Sequence, residues 1–256
     1  LGSVASSVLP RHNIALSRLR SFIDHRPVIG ITLDHDRSRS RYELSYAAVE
    51  AVALAGGEPV LLPFKQDATL PAFVDGLLLS GGNDPDPAAW GESWHPACNK
   101  VDPLRERHER RLCEQAQERG MPALGICFGM QVMNLVRGGS LIQHLPDLHR
   151  GMDHTRGDAG WAKRHDIAVR PDSLLARTCG VVALSVNTSH HQAVGTVGRG
   201  LIASAVAGDQ TVEAIEDPSR PFWLGVQWHP ERQAVENESR HLRIFEALVG
   251  AAGSGT

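Results

Sequence analysis

Two short segments of this sequence, about a hundred residues apart, carry the residue types needed to cut an amide bond. The first is Gly125-Ile126-Cys127-Phe128-Gly129, where an apolar run (122 to 129) gives way to the helical pattern of Met130 to Val136. Glycines on both sides of a strand-to-helix junction make the G-x-nucleophile-x-G elbow, here with sulfur as the nucleophile. The sharp turn thrusts the side chain into a cleft, and the helix start places partial positive charge beside it, so a thiolate is favoured. A buried cysteine ordinarily only packs. Cys98, Cys113 and Cys179 fit that description, having no such setting.

A thiol nucleophile needs a base, and the base needs an acceptor for its other nitrogen. The second segment, His229-Pro230-Glu231, supplies both. It ends the strand Trp223 to Trp228, where side chains two apart share a face, so His229 and Glu231 can point into one cleft. Backbone donors for an oxyanion are available in the turn Ser80-Gly81-Gly82-Asn83, together with the N–H of Phe128 next to the nucleophile. No G-x-x-x-x-G-K-[ST] phosphate loop occurs. The pair His190-His191 lies in an apparent strand, where neighbours face opposite ways, and no HExxH or Cys/His spacing accompanies it. The sequence therefore predicts no metal and no cofactor, and gives His190 a substrate-contact or loop role.

These segments must be positioned by a mixed fold. With 256 residues, 42% hydrophobic content and no long linker, one large domain is expected over residues 27 to 249, preceded by an N-terminal arm (1 to 26) and followed by a small-residue tail (250 to 256). The arm, with Arg11, Arg18 and Arg20 and no acid before Asp24, could also read as a transit peptide. The runs 27 to 34, 58 to 64, 75 to 82 and 122 to 129 show little alternation, as in parallel strands buried on both faces. Between them lie helical patterns: Tyr42, Tyr46, Val49 and Ala53, then Leu104 to Arg119. The second half has closely spaced strands (165 to 171, 181 to 191, 201 to 208, 211 to 217) with a hairpin turn at Gly208-Asp209. The expected architecture is α/β: a doubly wound, mostly parallel sheet flanked by helices, with an added small antiparallel region.

A net charge of −3 gives no electrostatic reason to expect nucleic acid or membrane partners. Four cysteines without a CxxC pair point to a reducing, cytoplasmic setting. A small-molecule substrate is the expected partner, and the sequence is compatible with a homodimer.

The stretches GICFGMQVMNLVRGGSL, LLLSGGNDPDP followed by Trp90-Gly91, VDPLRERHE, SVNTSHHQAV and LGVQWHPE together resemble, in order, the class I glutamine amidotransferase-like superfamily and within it the γ-glutamyl-γ-aminobutyrate hydrolase group of the C26 peptidases. The resemblance spans about residues 27 to 249. It implies hydrolysis of a small γ-glutamyl compound through a glutamyl thioester, by a triad of Cys127, His229 and Glu231. It also implies an oxyanion hole from the Gly82 and Phe128 N–H groups, with Gln131, His190 and Gly81 near the glutamyl moiety. A glutaminase subunit feeding ammonia to a synthase would use the same triad, and a non-catalytic binding protein could share the fold. The hydrolase group usually carries Arg after the nucleophile. Phe128 stands there instead, and its ring is expected near the cleft mouth, favouring apolar or cationic leaving amines.

Overall fold

The computed structural model describes residues 26–254, except 37, 150, 157, 159, 160 and 162. The N-terminal arm, apart from Arg26, and the last two residues of the tail lie outside the described residues.

The apolar runs become parallel strands: β1 (Val28–Thr32), β4 (Glu58–Leu62), β5 (Gly76–Leu79), β6 (Ala123–Ile126) and β13 (Trp223–Val226), in the spatial order β4-β1-β5-β6-β13. Every residue of β5, β6 and β13 is buried, because helices cover both faces. Leu78 and Ile126 pack in one core cluster with Val52 of α1 (Tyr46–Leu54) and Phe245 of α6 (Ser239–Gly253). Leu77 and Leu79, alternating to the other side, pack with Leu112 of α2 (Pro103–Glu118) and Met133 of α3 (Phe128–Val136). The Asp102 carboxylate accepts from Leu104 N–H at 2.8 Å and Pro103 opens the first turn, which fixes where α2 begins.

Past β13 the same sheet continues antiparallel through β12 (Val212–Glu216), β11 (Ile202–Ala207), β8 (Arg164–Val169) and β9 (Ala183–Asn187). Two short strands, β7 (Leu141–Ile142) and β10 (Ala193–Val194), pair beside β12. The helices α4 (Leu174–Cys179) and α5 (Pro230–Val235) complete this side. The mixed sheet with flanking helices matches the architecture expected from the sequence.

Local differences have physical causes. Tyr42 does not open a helix; it lies in a hairpin of β2 (Asp34–Asp36) and β3 (Arg41–Glu43), its hydroxyl donating to the Phe64 carbonyl at 2.8 Å. The last helix runs to Gly253, because Ala252 is buried against the core. β9 ends at Asn187 and β13 at Val226, so His190, His191, His229 and Glu231 are not strand residues. Among the described residues no helix is long and apolar enough to cross a membrane.

Candidate active site

The glycine elbow forms where β6 meets α3. Cys127 holds φ 51° and ψ −105°, and its backbone is fixed on both sides: its N–H donates to Val226 O at 2.8 Å and its carbonyl accepts from Gln131 N–H at 3.1 Å. The flanking glycines are required by contact. A Cβ on Gly129 would stand 2.2 Å from the Leu79 carbonyl oxygen, and one on Gly125 2.5 Å from Met133 Sδ. The strained backbone is held by surroundings that leave it no alternative.

His229 caps the start of α5, with Pro230 at its first position and Glu231 in its first turn. Its Nδ1 lies 2.8 Å from Glu231 Oε1. The expected pairing therefore arises from a helix start instead of two positions on a strand face: Pro230 cannot continue the ladder, and it opens the helix that turns Glu231 back onto the ring. Asn187 fixes the backbone here, its Oδ1 accepting from His229 N–H at 2.9 Å and its Nδ2 donating to His229 O at 2.8 Å. Burial, the largest influence on the imidazole, lowers its pKa, but the Glu231 carboxylate and the Cys127 sulfur outweigh it and push it up to about 10. Trp161 stands edge-on to the imidazole with ring centroids 4.8 Å apart, and the Arg232 guanidinium lies 3.7 Å over the indole.

The turn after β5 closes the other side. A Cβ on Gly81 would meet His229 Cε1 at 2.8 Å, and one on Gly82 would meet Arg105 Nη1 at 2.3 Å. Arg105, fully buried, reaches from α2 to Glu109 Oε1 at 2.7 Å, Asp34 Oδ1 at 2.8 Å and the Gly81 carbonyl at 2.7 Å. Its guanidinium also covers the Phe128 ring at 4.8 Å. This corrects the expectation for Phe128: its ring is wholly buried beneath Arg105 and does not reach the cleft mouth. Its N–H, at the first turn of α3, is one of the donors a helix leaves without an internal acceptor.

A cleft of about 330 Å³ opens beside His229, Glu231, Gly81 and Gly82, and its outer wall carries Asp34, Glu43 and Trp161. Cys127 is 7% exposed and does not line it. Gln131 is buried behind the thiol, its Nε2 3.4 Å from Gln227 Oε1, while Gln227 Nε2 stands 3.4 Å from Cys127 Sγ. His190 takes the loop position that was one of its two expected roles. Because β9 has ended, its ring turns inward to the Gln192 carbonyl and toward Glu213, and it does not line the cleft. His191 pairs with Asp84 at 3.0 Å.

Sequence reasoning passed over Arg105, Asn187 and Gln227. Each lay inside a segment already singled out, and a buried arginine or amide is invisible until its partners are known.

A strand-elbow-helix cysteine beside a histidine and carboxylate, on this half-parallel sheet, defines the class I glutamine amidotransferase-like fold. Solved structures agree: a glutamine amidotransferase of Thermotoga maritima matches with TM-score 0.57 at 16% identity, covering 89% of this chain and 95% of that one. The glutaminase domain of Trypanosoma brucei CTPS matches with TM-score 0.60 at 15% identity, over 89% and 94%. The peptidase C26 family model matches residues 27–231, and the chain belongs to that family of glutamine amidotransferase-like hydrolases. It is 40% identical to "Putative glutamine amidotransferase Rv2859c" of Mycobacterium tuberculosis, over 89% of this chain and 75% of that protein. It is 30% identical to γ-glutamyl-γ-aminobutyrate hydrolase PuuD of Escherichia coli, over 90% and 94%.

Proposed function

We propose that this chain hydrolyses the γ-glutamyl amide bond of a small γ-glutamyl compound through a thioester on Cys127. The observation that carries this reading is the His229 ring, paired through Nδ1 with Glu231 at 2.8 Å and held protonated in part by the Cys127 sulfur, with the cysteine on a strained elbow. The Cys127 thiolate attacks the amide carbon, and the N–H groups of Phe128 and Gly82 receive the oxyanion. His229, with its pKa raised to about 10, is an imidazolium at neutral pH and gives its proton to the departing amine. Forming the thioester removes the negative charge on sulfur. One of the influences holding the imidazole protonated is then gone, so the same ring can take a proton from water in the second step. Glu231 keeps Nδ1–H directed away from the reacting side.

The named relatives divide between an amidotransferase and a γ-glutamyl hydrolase, and the glutaminase reading uses the same groups. The isolated chain should release glutamate steadily from a panel of γ-glutamyl amides. Strict dependence on a second protein for any turnover, or a response to free glutamine alone, would favour the glutaminase. A glutamine-like electrophile should label Cys127 before the other three cysteines, read by peptide mass spectrometry; an adduct on Cys98 would remove the assignment.

A further inference from the structure

A second group of reactive side chains lies where the β11–β12 hairpin meets the loops that follow residue 150 and β9. Glu213, fully buried on β12, is faced by three imidazoles: His154 Nδ1 at 3.4 Å, His165 Nε2 at 3.2 Å and His190 Nε2 at 3.5 Å, all measured to the same Oε1. These four side chains are at most 9% exposed. None of the three facing nitrogens makes a hydrogen bond, and neither does either oxygen of Glu213. Five buried polar atoms thus face one another at ion-pair distances without one well-formed hydrogen bond, an arrangement that native structures avoid.

The outer nitrogens show what the inner ones carry. His190 Nδ1 lies 3.0 Å from the Gln192 carbonyl, which can only accept, so Nδ1 bears the hydrogen. His154 Nε2 lies 3.0 Å from Asp209 Oδ2, again an acceptor. The neutral forms of both rings therefore aim lone pairs at a carboxylate. Protonating all three rings would set three buried positive charges around one buried carboxylate, and the ring directions do not give well-formed N–H bonds to it. A cation held between the groups satisfies all of them.

We infer that His154, His165, His190 and Glu213 form a structural site for a divalent transition metal of the zinc class. In a tetrahedral site with metal–nitrogen bonds of about 2.0–2.1 Å and a metal–oxygen bond of about 2.0–2.2 Å, nitrogen and oxygen ligands stand about 3.4 Å apart. The three observed separations, 3.2 to 3.5 Å, bracket that value. The ligand atoms of His154, His165 and Glu213 all lie within 4.8 Å of one another, and His190, whose Nε2 stands 3.5 Å from Glu213 Oε1, must close inward with them to complete the set. Imidazole nitrogen with one carboxylate selects zinc and its neighbours over magnesium or calcium. Asp209 and the Gln192 carbonyl supply the outer hydrogen bonds that orient metal-bound histidines. Four protein ligands leave no open position, so the metal's work is to tie together four chain segments. One of them begins three residues after Asn187, which holds the His229 backbone. The site stands whether or not the hydrolase reading does.

The test uses the full chain with Cys127→Ala, so that the Cys127 and His229 pair cannot capture the ion. After chelator treatment and dialysis against Zn²⁺, elemental analysis should find one zinc per chain, and the unfolding temperature should rise on loading. Glu213→Gln and His165→Gln should abolish this uptake. Asp209→Asn, which leaves all four ligands in place, should weaken binding by about 10–100-fold. Because the ligand variants can fail to fold, Co²⁺ loading of the otherwise intact chain is the second measurement: an intense visible spectrum of tetrahedral cobalt without a thiolate band is expected. No uptake by folded protein, uptake unaltered in folded Glu213→Gln and His165→Gln variants, or a weak octahedral cobalt spectrum would overturn the site.

Discussion

The parallel and antiparallel halves of the sheet concentrate reactive side chains in opposite ways. The parallel half presents its chemistry from strand ends, at the elbow after β6 and the segment after β13, where a few consecutive residues make each part. The antiparallel half gathers His154, His165, His190 and Glu213 from four segments around a hairpin, with no two of them within ten residues in the chain. Reactive groups on rigid strand ends suit a reaction; converging loops suit a tie. Substitutions in the first region should change rates and leave stability nearly intact, and those in the second should do the reverse.

The largest expected effects test the parallel half. Cys127→Ala should abolish turnover, and His229→Asn should slow it by about 10²–10⁴-fold, the usual worth of general acid–base work, with unchanged circular dichroism. Glu231→Gln should cost less, since the ring stays packed against Trp161 and its backbone stays bound to Asn187. Steady-state kinetics beside thermal unfolding would check this, and a parallel drop in unfolding temperature for His229→Asn would blur the distinction between the halves.

A smaller effect, on stability, comes from His241, buried at 2% side-chain exposure on α6 and lowered to about 4 mainly by that burial. Its pKa in the fold lies below the unfolded value near 6.5, so the unfolded chain binds more protons between those limits. Stability should therefore fall as pH drops from about 6.5 toward 4, by on the order of 3 kcal/mol from this group, and level off below. Denaturant unfolding across that range would show it. His241→Leu should flatten that slope, and an unaltered slope would assign the acid sensitivity elsewhere.

Next comes a substitution that should break the rule for the parallel half. Gly129→Ala forces a methyl toward the Leu79 carbonyl, and overpacking of this kind costs about 1–3 kcal/mol. Both unfolding temperature and rate should fall, because the elbow cannot shift without moving Cys127. A variant as stable and active as the parent would mean that α3 slides freely on β5.

The smallest effect is expected from Phe128→Leu. With the ring buried under Arg105, it cannot read the leaving group, so the relative kcat/KM for carboxylate-bearing and neutral γ-glutamyl amides should hold. A marked change in that preference would return the residue to the cleft.

The same contrast governs what the sequence discloses. The elbow was legible because Gly125, Cys127 and Gly129 are contiguous and their spacing alone implies the turn. The pairing of His229 with Glu231 was legible, though for a different geometric reason: Pro230 starts a helix where strand alternation was expected. Parallel strands such as Gly76–Leu79 betrayed themselves by unbroken apolar runs. The Glu213 cluster was not legible, since its members share no local spacing and two adjacent histidines invited a strand argument that fails once β9 ends at Asn187. The role of Phe128 was misjudged because its neighbour, Arg105, lies 23 positions away on another helix.

The backbone of Cys127 has one more consequence. A non-glycine residue at φ 51° and ψ −105° sits in a sparsely populated region that costs about 1–3 kcal/mol, and glycine there would relax part of it. Cys127→Gly is thus a substitution that a laboratory selection for heat resistance alone would welcome, although it deletes the sulfur. Libraries of this enzyme screened only for survival at high temperature should drift toward inert proteins at this codon. Only a screen that also demands turnover would keep the cysteine.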